Sequence, residues 1–181
     1  MSRKNMSNSF IKDCIVTALI DLMKEKDFNQ ITITEIANKA GVSRMAYYRY
    51  YTSKSDILNQ YIDEVISSVN ISIKLDYSEN KMYVYFREMF EQLGKHREVG
   101  IEILKANLGE LFLNSLTKNM FAIFGKENMT VRQKYELHLV IGGFASLFVH
   151  WLMGGCNESS DEMAQICCEI LSYNGFINTV E

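Results

Sequence analysis

Residues 31–54 constrain the fold of this 181-residue chain more than any other segment, because helix starts and a helix stop follow one another within them. Thr32 precedes Glu35 by three residues, the spacing of a capping box in which each side chain accepts the other residue's backbone N–H. Gly41 favours the left-handed backbone that ends a helix, and Ser43 offers a hydroxyl that caps the next one. The segment therefore predicts two short helices joined by a tight turn.

The second of these helices has two unlike faces. At about 100° per residue, Tyr47 and Tyr51 fall on one side of it, whereas Met45 and Arg49 fall on the opposite side. A further helix is expected to begin after Ser53, which can cap it. One face of the short helix can therefore pack against its neighbours while the other stays free. This order is a helix-turn-helix, whose second helix enters the major groove of DNA.

Residues 43–58, SRMAYYRYYTSKSDIL, resemble the signature of the TetR family of bacterial transcriptional regulators, and the preceding TEIANKAGVS resembles it equally well. The matching positions are Ser43, Tyr47, Tyr48, Tyr51, Ser53, Lys54, Asp56 and Leu58. Tyr47 and Tyr51 depart from the usual aliphatic or phenylalanine core residues, so each hydroxyl needs a partner or water. The resemblance implies an all-α protein, and helical periodicity along the chain predicts about nine helices. It divides the chain into an N-terminal three-helix helix-turn-helix DNA-binding domain (1–52) and a larger helical ligand-binding and dimerisation domain (53–181).

The resemblance also assigns DNA contacts to individual residues. The residues expected at base edges or the adjacent backbone are Arg44, Met45, Ala46, Tyr48 and Arg49. Phosphate contacts are expected from Tyr50, Lys54 and Thr32, and Thr34 is expected to reach either a base or a phosphate. The chemistry fits, because arginine can grip guanine with two hydrogen bonds, methionine can meet a thymine methyl group, and tyrosine can donate to phosphate. Outside such a motif, Arg44 or Arg49 would be only a solvated charge.

The net charge of −3 conceals an uneven distribution along the chain. Residues 1–60 hold nine Lys and Arg against six Asp and Glu, a balance of +3, whereas residues 61–181 hold ten against sixteen, a balance of −6. The basic surplus therefore coincides with the helix-turn-helix, which is where binding to DNA phosphates requires it.

Helical periodicity extends through the rest of the chain. A first helix is predicted over Ser9–Lys26, and a long fourth helix begins after Ser53 and ends at the polar segment 76–81. Five more helices are predicted at Met82–Leu93, Val99–Leu108, Leu111–Phe124, Thr130–Met153 and Ser160–Tyr173. Two further pairs have capping-box spacing: Thr130 with Gln133, and Ser159 with Glu162.

The second domain is rich in aromatic residues and methionine at helical spacing, which are mostly core residues. A few of them could line a cavity for an apolar or aromatic effector, because methionine adapts easily to varied shapes. The candidate effector-binding residues are Met82, Phe86, Met89, Phe90, Phe112, Met120, Phe144 and Trp151. Residues 151–164, WLMGGCNESSDEMA, resemble a TetR subgroup that includes regulators of dihydroxyacetone kinase operons, but this resemblance implies no particular ligand.

The sequence predicts no metal site, no cofactor and no membrane span. The four cysteines, expected to be reduced thiols in a cytoplasm, are Cys14, Cys156, Cys167 and Cys168. Redox or metal sensing through the last three is a minor alternative. The three histidines are too far apart in sequence to suggest a metal site. The longest apolar stretch, which begins at Val140, contains His150 and several small residues, so a span is not expected.

Two classes of function remain open. The first is a ligand-responsive regulator, expected to repress, whose homodimer binds a palindromic operator and leaves it when an effector changes the separation of its recognition helices. The resemblance implies dimerisation through the last two helices, where small residues such as Gly142 and Gly143 permit close approach or simply pack within one subunit. The alternative is a helical small-molecule or protein-interaction module that does not bind DNA. An enzyme is not expected, because no catalytic constellation is evident.

Overall fold

A computed structural model of the protein describes residues 8–75 and 81–173, except the side chains of residues 70–75 and 173. This part of the chain holds nine α-helices, a short 3₁₀ turn at Phe28–Gln30 and no β-strand. The helices are α1 (Asn8–Glu25), α2 (Ile33–Lys39), α3 (Arg44–Tyr50), α4 (Lys54–Leu75), α5 (Lys81–Lys95), α6 (Arg97–Lys105), α7 (Gly109–Phe124), α8 (Val131–Met153) and α9 (Ser160–Tyr173). The predicted all-α fold and its nine helices are confirmed. The predicted break at 76–81 lies outside the described residues, except for Lys81.

The three helix starts in the amino-terminal region form as the sequence indicates. The Thr32 amide donates to a Glu35 carboxylate oxygen at 2.9 Å, and the Glu35 amide donates to the Thr32 hydroxyl at 3.3 Å. Ser43 and Ser53 each accept the amide N–H of the residue three positions later, at 3.0 and 3.1 Å. These bonds satisfy backbone donors that have no partner inside their own helices.

Residues with positive φ end helices α2 and α6. Gly41 has φ +67°, and the following Val42 amide donates back to the carbonyl of Ala37 at 3.0 Å. Asn107, with φ 58°, ends α6 in the same way. The predicted helix Val99–Leu108 therefore extends beyond the end of α6 at Lys105. Asn107 adopts the left-handed conformation that ends the helix, a role that the sequence suggested for Gly109.

Helix α4 connects the amino-terminal helices to the rest of the molecule. It packs against α1 near its start and against α5 and α7 further along. A buried polar chain fixes it there: the Tyr85 hydroxyl donates to Asn119 at 3.1 Å, and the Asn119 amide approaches the Ile66 carbonyl at 3.5 Å. A hydrogen bond from the Ser115 hydroxyl to Asp63 adds a second link between α7 and α4. A movement of α4 would therefore affect both parts of the chain.

The core of the larger domain is a cluster of aromatic rings between α5 and α8. Phe86 stacks on Phe144 with ring centroids 5.2 Å apart, and Phe90 meets Trp151 edge to face at 5.1 Å. Helix α8 is long and apolar enough to cross a bilayer by length and composition alone. Its buried face, which includes Phe144 and Trp151, packs inside the protein, and core helices pass the same test.

Candidate nucleic-acid interface and effector cavity

Helix α3 has one buried face and one open face. Tyr47 and Tyr51 are 0% and 3% exposed, whereas Met45 on the other side is 79% exposed and Tyr48 is 50% exposed. Arg49 is also exposed. The division of faces expected from helical spacing is therefore confirmed. The packed side fixes the helix, and the open side presents polar and apolar groups suited to the edges of bases.

The residues expected to contact DNA differ in how freely they reach solvent. Arg44 is exposed, and its guanidinium carbon lies 6.0 Å from the centre of the Tyr48 ring. Thr32 and Thr34 are exposed at the start of α2, while Ala46 is half-buried. The two arginines, Arg44 and Arg49, lie on the same short helix. This face therefore exposes two arginine side chains to solvent.

The side chain of Lys54 is directed towards the protein backbone, whereas a phosphate ligand is expected to point into solvent. Its ammonium donates to three backbone carbonyls, those of Phe28 at 2.5 Å, Ile31 at 2.9 Å and Asn29 at 3.0 Å. It also lies 4.7 Å from the centre of the Phe28 ring, and burial lowers its pKa. An ammonium has three N–H donors, so this arrangement leaves none for a phosphate oxygen. The prediction that Lys54 holds phosphate therefore needs revision, because the side chain ties α4 to the turn before α2.

The other two expected phosphate ligands are also engaged. The Tyr50 hydroxyl donates to the Asn8 side chain at 2.7 Å, and the Thr32 hydroxyl donates to Glu35 at 2.8 Å. Hydrogen bonds from Lys26 and from Thr32 hold the pKa of Glu35 at about 2. Each hydroxyl already donates its single hydrogen, so neither can donate to phosphate unless its present hydrogen bond breaks.

Tyr47 carries an unusual polar atom. Its hydroxyl is buried and has no hydrogen-bond partner among the described residues. Burial raises the pKa of this phenol to about 12, with smaller contributions from Tyr48 and Asp56. None of the described residues supplies the partner that the sequence argument required, so within this part of the chain the hydroxyl lowers stability.

A small cavity of about 50 Å³ lies in the larger domain between α4, α5, α6, α7 and α8. Its wall is almost wholly apolar. The lining residues are Tyr61, Ile62, Val65, Leu93, His96, Val99, Gly100, Ile103, Leu104, Phe112, Phe148, Val149 and Leu152. The approach of α6 to α8 is close here, since a Cβ added at Gly100 would lie 2.9 Å from a Leu152 methyl group.

Of the eight residues expected to bind an effector, Phe112 alone lines this cavity. Phe86 and Phe144 line a separate cavity of about 130 Å³ between α5, α8 and α9. The remaining five, which are Met82, Met89, Phe90, Met120 and Trp151, are buried in the hydrophobic core. Helical spacing selects buried residues, but it cannot separate those that fill the core from those that border a space.

Sequence reasoning missed the polar pair on the cavity wall. The Tyr61 hydroxyl and His96 Nδ1 are 2.6 Å apart, and their rings meet edge to face at 5.5 Å. Burial, with a smaller effect from Lys95, lowers the pKa of His96. The imidazole is therefore neutral at pH 7, and one hydrogen is shared between the two side chains. Tyr61 lies on the apolar face of α4, and the local sequence around it does not indicate that His96 is its partner.

The cysteines and histidines do not form a reactive or metal-binding site in the described part of the chain. Burial raises the pKa of the Cys167 thiol to about 12, and also raises those of Cys156 and Cys168. Because the thiolate is the reactive form, these shifts disfavour the redox-sensing alternative.

The helix-turn-helix with an open second helix defines the chain as a DNA-binding protein. Residues 15–61 match the model of the bacterial regulatory proteins of the tetR family, and residues 80–173 match a transcriptional regulator C-terminal region. The chain therefore belongs to the TetR family and is a DNA-binding transcriptional regulator. Proteins of this kind are not enzymes.

Individual relatives agree with this assignment. The HTH-type transcriptional regulator AlkX of Mycobacterium tuberculosis is 27% identical over 88 residues, which are 46% of this chain and 41% of that protein. The chain thus matches less than half the length of this relative. The dihydroxyacetone kinase operon activator DhaS is similar in fold, with a TM-score of 0.62, 14% identity, and coverage of 91% of this chain and 95% of DhaS.

A third similar structure is that of the regulator FadR from Bacillus subtilis in complex with stearoyl-CoA. Its TM-score is 0.58 at 20% identity, and the match covers 88% of this chain and 96% of FadR. At such identities the two structures establish the shared fold and no more.

Proposed function

We propose that this protein is a ligand-responsive regulator of transcription that acts in the cytoplasm and represses its target genes. A homodimer would bind a palindromic operator with the α3 helix of each subunit in the major groove. The observation that supports this proposal is the open face of α3. Met45, Tyr48 and two arginines share a short helix whose opposite side is locked into the core.

The proposed DNA contacts come mainly from the exposed side chains of α3. Arg44, Met45, Tyr48 and Arg49 would meet base edges or the adjacent backbone, with Thr34 near them. Ala46 is half-buried and contributes by letting the helix come close to the groove. Thr32 and Tyr50 would reach phosphate only by exchanging their present partners for it.

The dimer is proposed to form through α8 and α9. These helices expose apolar side chains to solvent in the single subunit, and the exposed residues are Val131, Tyr135, Leu139, Met153, Ile166 and Ile170. Gly142 and Gly143 lie on the open side of α8, where an added Cβ would meet nothing within 4 Å. Such a face is unusual for a subunit that works alone, and it supports contact with a second copy.

The effector is proposed to be apolar or aromatic and to occupy the cavity beside Phe112. The FadR complex with stearoyl-CoA supports a ligand-binding role for this fold. Two helices on the cavity wall also reach the DNA-binding part, because α4 begins there and α6 packs against α1. A ligand that displaces either helix would change the separation of the two α3 helices in a dimer.

The experiment that tests this proposal measures binding to DNA from upstream of the protein's own gene at several salt concentrations. Arg49→Ala should weaken binding roughly 5- to 150-fold, since a base-contacting arginine contributes about 1–3 kcal/mol. Arg87→Ala on α5 removes the same charge outside the helix-turn-helix and should change little. Failure of wild type to bind any such fragment would favour the alternative, a helical interaction module that does not bind DNA. Equal binding by wild type and Arg49→Ala would remove Arg49 from the proposed contacts.

A further inference from the structure

The side chains on the cavity wall limit the class of effector that can bind, because nearly all of them are apolar. Tyr61 and His96 are the polar side chains among the described lining residues, and no lysine, arginine, aspartate or glutamate is among them. A charged group placed there would lose its water without gaining an opposite charge, which is costly. The cavity therefore disfavours ions and accepts uncharged molecules.

The size of the cavity sets a second limit. About 10–15 Å³ of such space holds one water molecule, and this cavity offers about 50 Å³. A molecule with one ring or a short chain is therefore closer to the available space than an elongated lipid. The close approach of Gly100 to Leu152 leaves little free space at this part of the wall.

The hydrogen bond between Tyr61 and His96 sets a third limit. A tyrosine hydroxyl has one donor and two acceptor positions. If it donates to His96 Nδ1, its oxygen still accepts a hydrogen bond, and if Nδ1–H donates to it, its own hydrogen is free. In both tautomers the Tyr61 hydroxyl keeps a hydrogen-bonding position that His96 does not use, and a ligand hydroxyl, which can donate or accept, is chemically suited to it.

We infer that the effector is a compact, uncharged, mainly apolar molecule with one hydroxyl group, of the phenol class, and that Tyr61 and His96 select it. This inference rests on the proposed function, since it assigns the ligand of the same regulatory site. Small polar groups in an apolar pocket commonly provide orientation and specificity in this way. Burial keeps His96 neutral, so the pair does not offer a charge to an acidic ligand.

The test uses three single-ring ligands, namely phenol, toluene and benzoate, without DNA. Trp151 is the single tryptophan, and its ring lies 6.0 Å from that of Phe148 on the cavity wall. Its fluorescence, together with the shift in melting temperature, reports binding. Phenol should bind about fivefold more tightly than toluene, the effect of one buried hydrogen bond, and benzoate at least about tenfold more weakly than phenol.

Two variants complete the test. Tyr61→Phe/His96→Phe keeps the rings and should bind toluene as before, but its preference for phenol should fall to within about twofold. Tyr83→Phe is the control, because its hydroxyl donates to Asp161 away from the cavity, and it should keep the preference. Benzoate binding as tightly as phenol, a preference that survives the double substitution, or no binding of any probe at millimolar concentration would each overturn the inference. None of these outcomes bears on DNA binding, which the Arg49→Ala experiment decides separately.

Discussion

At the scale of single residues, the protein combines buried polar side chains that stabilise it with one that does not. Tyr85 and Tyr47 are both fully buried tyrosines, but the Tyr85 hydroxyl has Asn119 as a partner and the Tyr47 hydroxyl has none among the described residues. The same chemical group is therefore favourable at one position and unfavourable at the other. Lys54 differs from Tyr47, because the polar group of Lys54 has partners: three backbone carbonyls accept hydrogen bonds from its ammonium.

Tyr47→Phe should raise the free energy of unfolding by about 1 kcal/mol, because it removes a buried hydroxyl that lacks a partner and keeps the ring. Urea denaturation measures the change. Tyr85→Phe is the matched control and should lower the same quantity by about 1 kcal/mol, since Asn119 loses its donor. Loss of stability in both variants would mean that the Tyr47 hydroxyl has a partner after all.

Lys54→Arg separates a structural lysine from a phosphate ligand. A guanidinium keeps the charge, but its planar fork cannot direct donors to three carbonyls around one point, so stability should fall by about 2 kcal/mol. Urea denaturation and DNA binding should be measured on the same samples. Unchanged stability of Lys54→Arg would contradict the structural role assigned to the three carbonyl bonds.

At the scale of elements, the starts of the short helices depend on local side-chain bonds. Helix α2 has seven residues, too few to be stable alone, so its capping box matters more than it would in a long helix. Glu35 serves this cap and also pairs with Lys26 at 2.5 Å. The stability of α2 should therefore depend on the charge of a single carboxylate.

Glu35→Gln should destabilise the protein at neutral pH and less so in acid. The pKa of Glu35 is about 2 in the folded protein against an ordinary 4.5, so its contribution is complete above about pH 4.5 and is lost as the pH falls towards 2. Urea denaturation of wild type and variant between pH 7 and pH 3 should show a difference that shrinks below pH 4.5. Glu91→Gln, which loses an exposed pair with Lys95, should change stability by less than about 0.5 kcal/mol. A Glu35→Gln effect that does not vary with pH would contradict this account.

These elements also show what the sequence could predict. Caps, the Gly41 stop and the two faces of α3 follow from neighbours a few residues apart, and all three were predictable. The three carbonyls around Lys54 and the pair of Tyr61 with His96 join residues more than twenty positions apart. No local pattern encodes those contacts. For the same reason, helical spacing could not separate the residues that line the cavity beside Phe112 from those that fill the core.

At the scale of the whole molecule, the proposed activity requires two copies of the chain. The basic surplus lies in residues 1–60, whereas the exposed apolar side chains of α8 and α9 lie at the other end of the sequence. DNA binding and dimerisation would thus use separate surfaces. A substitution can therefore be chosen that weakens dimerisation without altering the surface that would contact DNA.

Leu139→Glu should convert the dimer to a monomer. Leu139 is 65% exposed on α8, and the change would bury two unpaired carboxylates in each dimer, raising the dissociation constant on the order of 100-fold or more. Sedimentation equilibrium measures this constant. Leu113→Glu, on an exposed position of α7, is the control and should leave the dimer intact. A Leu139→Glu protein that still dimerises with unchanged affinity would place the interface elsewhere.

The most direct test of the central claim, that the open face of α3 contacts bases, is selection of bound DNA from a random pool by wild type and by Arg49→Ala. Wild type should enrich an inverted repeat whose half-sites lie about one helical turn apart, and Arg49→Ala should lose preference within each half-site. Failure of wild type to enrich any sequence, or identical motifs from both proteins, would contradict the claim.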